Sequence, residues 1–558
     1  MAKFSHATTG ELKQPQQDMG SASMQETTLA EARLNQGMIT TLDPADIPEG
    51  ALQLCKNARV RFDRTSRRPG SALLTPAKPN SQRVIGLAFF KQSDGDEYFF
   101  RATRNTLHRR SGGSWTNFPA DVTTLLGSDF DYFQFVAAFN RLFFVNNGIN
   151  PVQEVDLVAN EYKVLNVSEA DVKTEFRFLT AFYNRLVGAN LQGSVPDPTM
   201  IGWTADAGIT GVGLEEWDSN DNETAGRGPL VDSPGDLADY VTGIFGFTNI
   251  MLVLREQSIW IATKNPIPTN PFNFYAAFPG VGCDCPYSAV VALNNLCWLD
   301  TRTKTVWAYA PNSEPEPIGR NVEKDILRAI DDKEKVFAGY NPIENEYSIG
   351  IPLSGATSIT RIWTFNFRTK AWSYDEFENI SRIADIPFAS AGTTIDELPG
   401  TINQLAGQIN DLSPTDENEH VRMYGRSDGE IITEDVNVYT DPPVSGSPDP
   451  TSGTYLTELA SKHFELQELD AYFSKITIKI RPFASGSVTL WYSKNEKDFV
   501  SAKTKTFTAS EIGKSVFIRL QKMLHCKRLS WKLTANNGYF DVEGFEVKIY
   551  PSGTYRNR

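Results

Sequence analysis

Ala137-Ala138-Phe139-Asn140-Arg141-Leu142-Phe143-Phe144-Val145-Asn146 is nearly rewritten at Thr180-Ala181-Phe182-Tyr183-Asn184-Arg185-Leu186-Val187-Gly188-Ala189-Asn190. Both stretches run from small and apolar residues through an Asn turn into a second apolar run. Fainter copies lie at 243–254 (GIFGFTNIMLVL) and 290–299 (VVALNNLCWL). Phe337-Ala338-Gly339-Tyr340-Asn341 and Gly86-Leu87-Ala88-Phe89-Phe90 open two more. Self-similarity at a period of roughly 40–50 residues marks a radial β-repeat. The runs are short and rich in Phe, Val, Leu and Trp, which suits strands. Asn accepts positive φ and closes a hairpin. One such unit cannot bury its own faces, but units stacked around an axis bury each other. The copies, with a further hairpin at 421–432, predict a β-propeller of six or seven blades. The competing reading is a set of unrelated hairpins in a long sandwich. The shared Asn-Arg-Leu residues, with Phe just ahead of them, argue against it.

Outward from the repeat, the chain divides by pattern. Residues 1–34 are polar and rich in Gln, Ser, Thr and Met, which predicts an arm, extended or with a short helix at Gln25 to Leu34, ordered by partners. Residues 35–83 form an entry segment packing on the propeller, which spans 84–440. Two insertions are expected, at 208–236 (Gly- and acid-rich) and at 385–420. Within the second, Ile395, Leu398, Ile402, Leu405, Ile409 and Leu412 recur at three- and four-residue steps, interrupted by Gly and Pro. That reads as a projecting loop or broken helix that touches another subunit. A Pro- and Ser-rich linker at 440–454 precedes 455–550, where apolar and polar residues alternate strictly in five stretches. A C-terminal β-sandwich domain follows from that, with a tail at 551–558. The fold class is all-β.

Composition bounds the function. With 558 residues and 40% hydrophobic residues, several domains and a large core are available. The net charge of −14 argues against a protein built to grip nucleic-acid phosphates, which needs a basic face. Five scattered cysteines suggest no disulfide framework. No signal-like apolar run opens the sequence, and no stretch has the ~18–20 apolar residues of a transmembrane helix. No stable membrane insertion is expected.

Catalytic patterns are sparse. Gly425-Arg426-Ser427-Asp428-Gly429 matches a hydrolase elbow, but strand-like Glu430-Ile431-Ile432-Thr433 follows where the elbow needs a helix. It reads as a hairpin turn. Asp218-Ser219-Asn220-Asp221-Asn222 starts like a calcium loop, with Glu223 where Gly is required. A solvated acidic loop is the better reading. Cys283-Asp284-Cys285 with Cys297 fits no zinc spacing. No Asp-box turn of sugar-cleaving propellers occurs in the repeats. The chain is therefore expected to be no enzyme and to carry no cofactor or metal. The densest basic group is Arg59, Arg61, Arg64, Arg67 and Arg68. It is a candidate contact to DNA or an acidic neighbour, against the alternative of a solvated hairpin.

The entry segment carries a resemblance. Residues 37–51 (GMITTLDPADIPEGA), Asn57-Ala58-Arg59-Val60-Arg61-Phe62-Asp63 and Arg67-Arg68-Pro69-Gly70 resemble the opening of phage tail nozzle proteins, also called packaged-DNA stabilisation or tail accessory proteins. Residues 282–290 (GCDCPYSAV), Cys297-Trp298-Leu299 and Val306-Trp307 resemble that family's central repeat. The arm and the acidic insertion depart from its pattern. The resemblance implies a virion protein of short-tailed phages, assembled in the host cytoplasm as a closed homohexamer ring. The ring would sit below the portal and adaptor, continue the DNA channel without sequence preference, bear a needle, plug or fibre, and retain the genome until ejection. An acidic wall would let DNA slide. A receptor-binding or fibre-attachment protein with a glycan-binding sandwich is the alternative, and a propeller hydrolase a third.

Overall fold

The computed structural model describes residues 26–551 except 76–77, 112, 122–123, 166–172, 209–212, 221, 232–238, 331, 354–355, 357, 389–418, 436–437, 444–453 and 466–470. The described chain is nearly all β, with one α-helix at Glu323–Ala329 and a few 3₁₀ turns. Its organising motif is the four-stranded antiparallel meander. Five separate four-stranded sheets follow one another along the chain, opening with Gly86–Lys91, Phe133–Ala138, Phe176–Phe182, Val241–Gly246 and Val290–Ala292. A sixth meander opens with Phe337–Asn341 and ends in Ala371–Phe388.

That last strand is long because it serves twice. Its first half pairs with Ile359–Asn366. Its second half pairs with Glu419–Arg426, then Ile431–Asp435, then Gly70–Leu73. The outer strand of this seventh sheet therefore comes from ahead of the first sheet. Opening strands pack side by side from the first unit to the fourth, from the fifth to the seventh, and from the seventh back to the first. The fourth and fifth units meet through Leu252, Leu254, Leu296 and Trp298.

The turns explain the sequence repeat. Phe139 and Asn140, Tyr183 and Asn184, and Leu293 and Asn294 all have φ between +45° and +67°. These two-residue left-handed turns match the right-handed twist of the strands they join. At Gly425-Arg426-Ser427-Asp428-Gly429 the chain makes a hairpin turn with Gly429 at φ +90° and returns as a strand.

The C-terminal region holds two facing sheets. The five alternating stretches lie within Ala471–Pro482, Gly486–Lys494, Val516–Cys526, Arg528–Ala535 and Phe540–Pro551. Ile476, Ile478, Val547 and Phe545 from one sheet meet Leu490, Trp531 and Leu533 from the other in a common core. Each such buried side chain contributes about 1.5–3 kcal/mol.

Several boundaries differ from those expected. Thr27–Ala32 is a strand paired with the last strand, not part of a free arm or a helix, because Leu29, Ala30 and Ala32 pack on the C-terminal core. The entry segment is shared: Leu52–Lys56 and Thr65–Arg67 pair with C-terminal strands, and Gly70–Leu73 with the seventh sheet. The insertion at 208–236 contains Gly226–Pro229, the fourth strand of the third sheet. Its Gly and Pro hide it from any alternation pattern. The insertion at 385–420 begins and ends in paired strand, with Asp385 opposite Arg422 and Phe388 opposite Glu419. Ile395, Leu398, Ile402, Leu405, Ile409 and Leu412 lie outside the described residues.

Candidate functional site

The five arginines predicted as partner or DNA contacts are mostly interior. Arg59, Arg67 and Arg68 are at most 2% exposed. Arg59 sits on Ala58–Val60 and meets Asp375, Glu434 at 2.9 Å and Glu346 at 3.5 Å. Burial alone would lower its pKa, but Asp375, Glu434 and Glu346 outweigh it and hold the guanidinium charged. Arg68 forks onto Asp441 at 2.5 and 3.1 Å and stacks 3.7 Å from the Tyr455 ring and 4.2 Å from Phe377. Arg67 donates to Thr457 Oγ1 at 3.0 Å and to the carbonyls of Tyr455, Asn536 and Gly538. Arg61 pairs with Glu344 at 2.5 Å and Glu346 at 3.1 Å, and Arg64 with Asp541 at 2.7 Å.

The expectation of DNA contact is thus corrected for Arg59, Arg67 and Arg68, and so is the alternative of a solvated hairpin. Charge this deep is tolerated only when paired. Here the partners come from the sixth and seventh sheets (Asp375, Glu346, Glu434) and the C-terminal region (Thr457, Asn536, Asp541). The cluster welds the repeat units to the C-terminal sheets. A neighbouring network extends it: Arg422 pairs with Asp385 at 3.1 Å and Glu346 at 3.5 Å, and Tyr424 donates to Glu434 at 2.5 Å.

A second cluster lies where the opening strands begin. Tyr132 precedes the second unit's opening strand, Arg177 lies in the third's, and Tyr287 sits in the Pro286–Ser288 turn ahead of the fifth's. Phe337 starts the sixth's, and Arg382 lies where the seventh sheet begins. The Tyr132 ring packs edge-on to Tyr287 at 4.9 Å and Phe337 at 6.5 Å. Tyr287 also meets Phe178 at 6.2 Å. Side chains from the second, third, fifth, sixth and seventh units meet here, as expected of units arranged around a common centre.

Two guanidiniums flank this knot. Arg177 lies 5.7 Å from the Tyr287 ring and pairs with Glu334. Arg382 lies 5.4 Å from the Tyr132 ring. Phe130 is sandwiched between Arg83 at 4.9 Å and Lys335 at 4.8 Å. Tyr287 donates to Asn147 Oδ1 at 2.6 Å, and Tyr132 to the Lys335 carbonyl at 3.3 Å. Burial pushes the Tyr287 phenol up to about 12. The signal in the sequence was an isolated arginine at one apolar strand start, Phe176-Arg177-Phe178, and another within the strand Ala371–Phe388, Ser381-Arg382-Ile383.

Other candidates resolve as structure. All five cysteines are free and buried, and burial pushes the thiols of Cys283, Cys285 and Cys297 up. Asp218 accepts from the Asn220 amide at 2.9 Å and pairs with Arg227 at 3.4 Å. No group of three or more metal-ligating side chains occurs among the described residues. No helix among them is long and apolar enough to cross a membrane.

No family model and no curated protein matches the chain. Solved structures with similarity include the extracellular domain of a Bacteroides thetaiotaomicron hybrid two-component system (12% identity, 81% of this chain, TM-score 0.39). The chain spans about half, 47%, of that domain's length. A Phanerochaete chrysosporium exo-β-1,3-galactanase is similar at 10% identity over 86% of this chain and all of that one, with a TM-score of 0.24. A Pseudomonas aeruginosa periplasmic gluconolactonase follows at 11% identity over 55% and 86%, with a TM-score of 0.33. All three TM-scores lie below 0.5, and no activity transfers on them.

Proposed function

We propose that the chain is a structural subunit of a phage tail nozzle. It forms a closed hexameric ring below the portal and adaptor, continues the DNA channel and retains the packaged genome until ejection. The seven meanders are its blades, and the facing C-terminal sheets are a β-sandwich. The observation that carries this reading is the arginine weld. Arg59, Arg67 and Arg68 fasten the entry segment that resembles nozzle proteins to both halves of the molecule, giving one stiff body. A ring subunit under DNA pressure needs such stiffness.

Phenols and guanidiniums converge where the blades meet. Specific contacts fall to the arm, the apolar residues of 395–412 and the C-terminal sandwich, toward neighbouring subunits, the adaptor and a needle, plug or fibre. The place of action is the virion tail. Co-sedimentation of the full chain with the adaptor ring of the same virion tests this. Stoichiometric binding to the assembled ring is expected, and an unbound chain would count against it.

One observation favours the receptor-binding alternative. A groove of about 690 Å³ on the C-terminal sheet is lined by Lys479, Arg481, Glu543 and the exposed Phe517, polar groups and a ring suited to a sugar. A glycan array separates the two: saturable binding abolished by Phe517→Ala would favour capture of a receptor.

A further inference from the structure

We propose that the point where the units converge is an oxyanion site, at which Arg177 and Arg382 hold a small phosphate or carboxylate beside the Tyr132–Tyr287 pair. The proposal rests on this cluster alone and not on assembly into a tail.

Arg382 is the primary observation. Its Nη1 is sealed from solvent and meets no hydrogen-bond partner among the described residues, and no carboxylate there pairs with it. The side chain as a whole keeps intermediate exposure, so an ion engaging Nη1 must displace the groups that cover it. Its one close neighbour of note is the Tyr132 ring. Nη1 is thus a donor with no oxygen to receive it, on a group whose planar fork suits two oxygens. Burial also lowers its pKa from the ordinary arginine value, as expected for a cation whose counter-charge is missing.

Arg177 shows what the counter-charge would be. Its Nη2 already holds a carboxylate, that of Glu334. Glu334 is 51% exposed and rides on the Lys333–Lys335 turn, which is capped by the Asp332 side chain. It is the carboxylate that reaches the cluster, and it reaches only one of the two guanidiniums. Lys335 follows it on the same turn, where its ammonium lies over Phe130 and pairs with Asp332 at 3.1 Å. Glu334 occupies half the site, and an incoming oxyanion would displace it from Arg177 while engaging Arg382.

The test uses the full chain in calorimetric titrations at low ionic strength, with inorganic phosphate in one arm and malonate in the other. One ion per chain should bind in at least one arm; phosphate alone assigns a phosphate ligand, malonate alone a carboxylate. Arg382→Gln should weaken binding about tenfold, the loss of one charge-assisted fork. Arg382→Lys should recover part of that. Glu334→Gln removes the internal competitor from an exposed side chain and should tighten binding severalfold. Circular dichroism of each variant checks folding. Were Arg382→Gln not to fold, Glu334→Gln decides. Failure of both anions to bind wild type and Glu334→Gln overturns the proposal. So does affinity unchanged by Glu334→Gln, or by Arg382→Gln in a folded protein.

Discussion

Arg59 illustrates how far a charge count can mislead at the scale of one residue. The density of arginine between 59 and 68 was plain in the sequence, and its burial was not. The partners that neutralise Arg59 lie 316 and 375 residues away, beyond any local pattern. Removing the guanidinium strips buried Asp375 of its hydrogen-bonded cation and takes one partner each from Glu346 and Glu434. Arg59→Met should therefore destabilise the protein by about 3–5 kcal/mol, the cost of an uncompensated buried charge. Urea denaturation checks this. A surface DNA contact would instead leave the unfolding midpoint nearly unchanged. Arg177 and Arg382 were equally visible as letters, but nothing local says that starts of different units meet.

His108 gives a pH prediction at the same scale. It lies in Leu107–Ser111 of the first unit and is 5% exposed. Burial, with Arg101 beside it, lowers its pKa to about 4 from an ordinary 6.5. Between those values the unfolded chain binds the proton and the folded one does not. Stability should thus be fully present above pH 6.5 and decline as pH falls from 6.5 toward 4. His108→Gln should flatten that part of the stability–pH curve, measured by denaturation at a series of pH values.

At the scale of the element, the hairpin was the most legible feature. Asn140, Asn184 and Asn294 announced turns, and those turns are left-handed at both central residues. The first central residue pays no heed to propensity: Phe139, Tyr183 and Leu293 all sit at positive φ. Leu293 is 47% exposed, so packing returns little for that strain. Leu293→Asn should stabilise by about 0.5–1 kcal/mol, since Asn tolerates the left-handed region. The shift in urea midpoint measures it.

Glycine tells a second story at this scale. A methyl group on Gly188 would lie 2.3 Å from the Phe176 ring, and one on Gly202 2.6 Å from the same ring. The ring lies flat across two neighbouring strands of the third sheet. Gly188→Ala should cost about 1–3 kcal/mol by overpacking, while Phe176→Leu in the same background should recover part of it. A thermal unfolding double-mutant cycle reads the coupling. Strands without alternation, such as Gly226–Pro229, were invisible in the sequence because neither β-branched nor aromatic residues mark them.

At the scale of the whole molecule, the repeat and the alternating C-terminal strands disclosed an all-β chain. They did not disclose how it is stitched. Gly70–Leu73 completes the last sheet from ahead of the first, Thr27–Ala32 joins the last strand, and the long strand Ala371–Phe388 belongs to two units. Each is a long-range pairing decided by what is left unpaired at an edge, and no window of sequence contains that information. The stitching places both ends of the described chain in the C-terminal region and ties the round of sheets to it through Arg59 and Arg68. A body fixed in this way suits a ring, in which head-to-tail contacts must repeat at a constant angle to close.

Negative-stain imaging of the purified full chain, alone and mixed with the adaptor ring, tests the nozzle reading most directly. Closed rings with a central channel that dock coaxially beneath the adaptor are expected. Isolated monomers that never engage the adaptor ring and instead cleave glycans would contradict it.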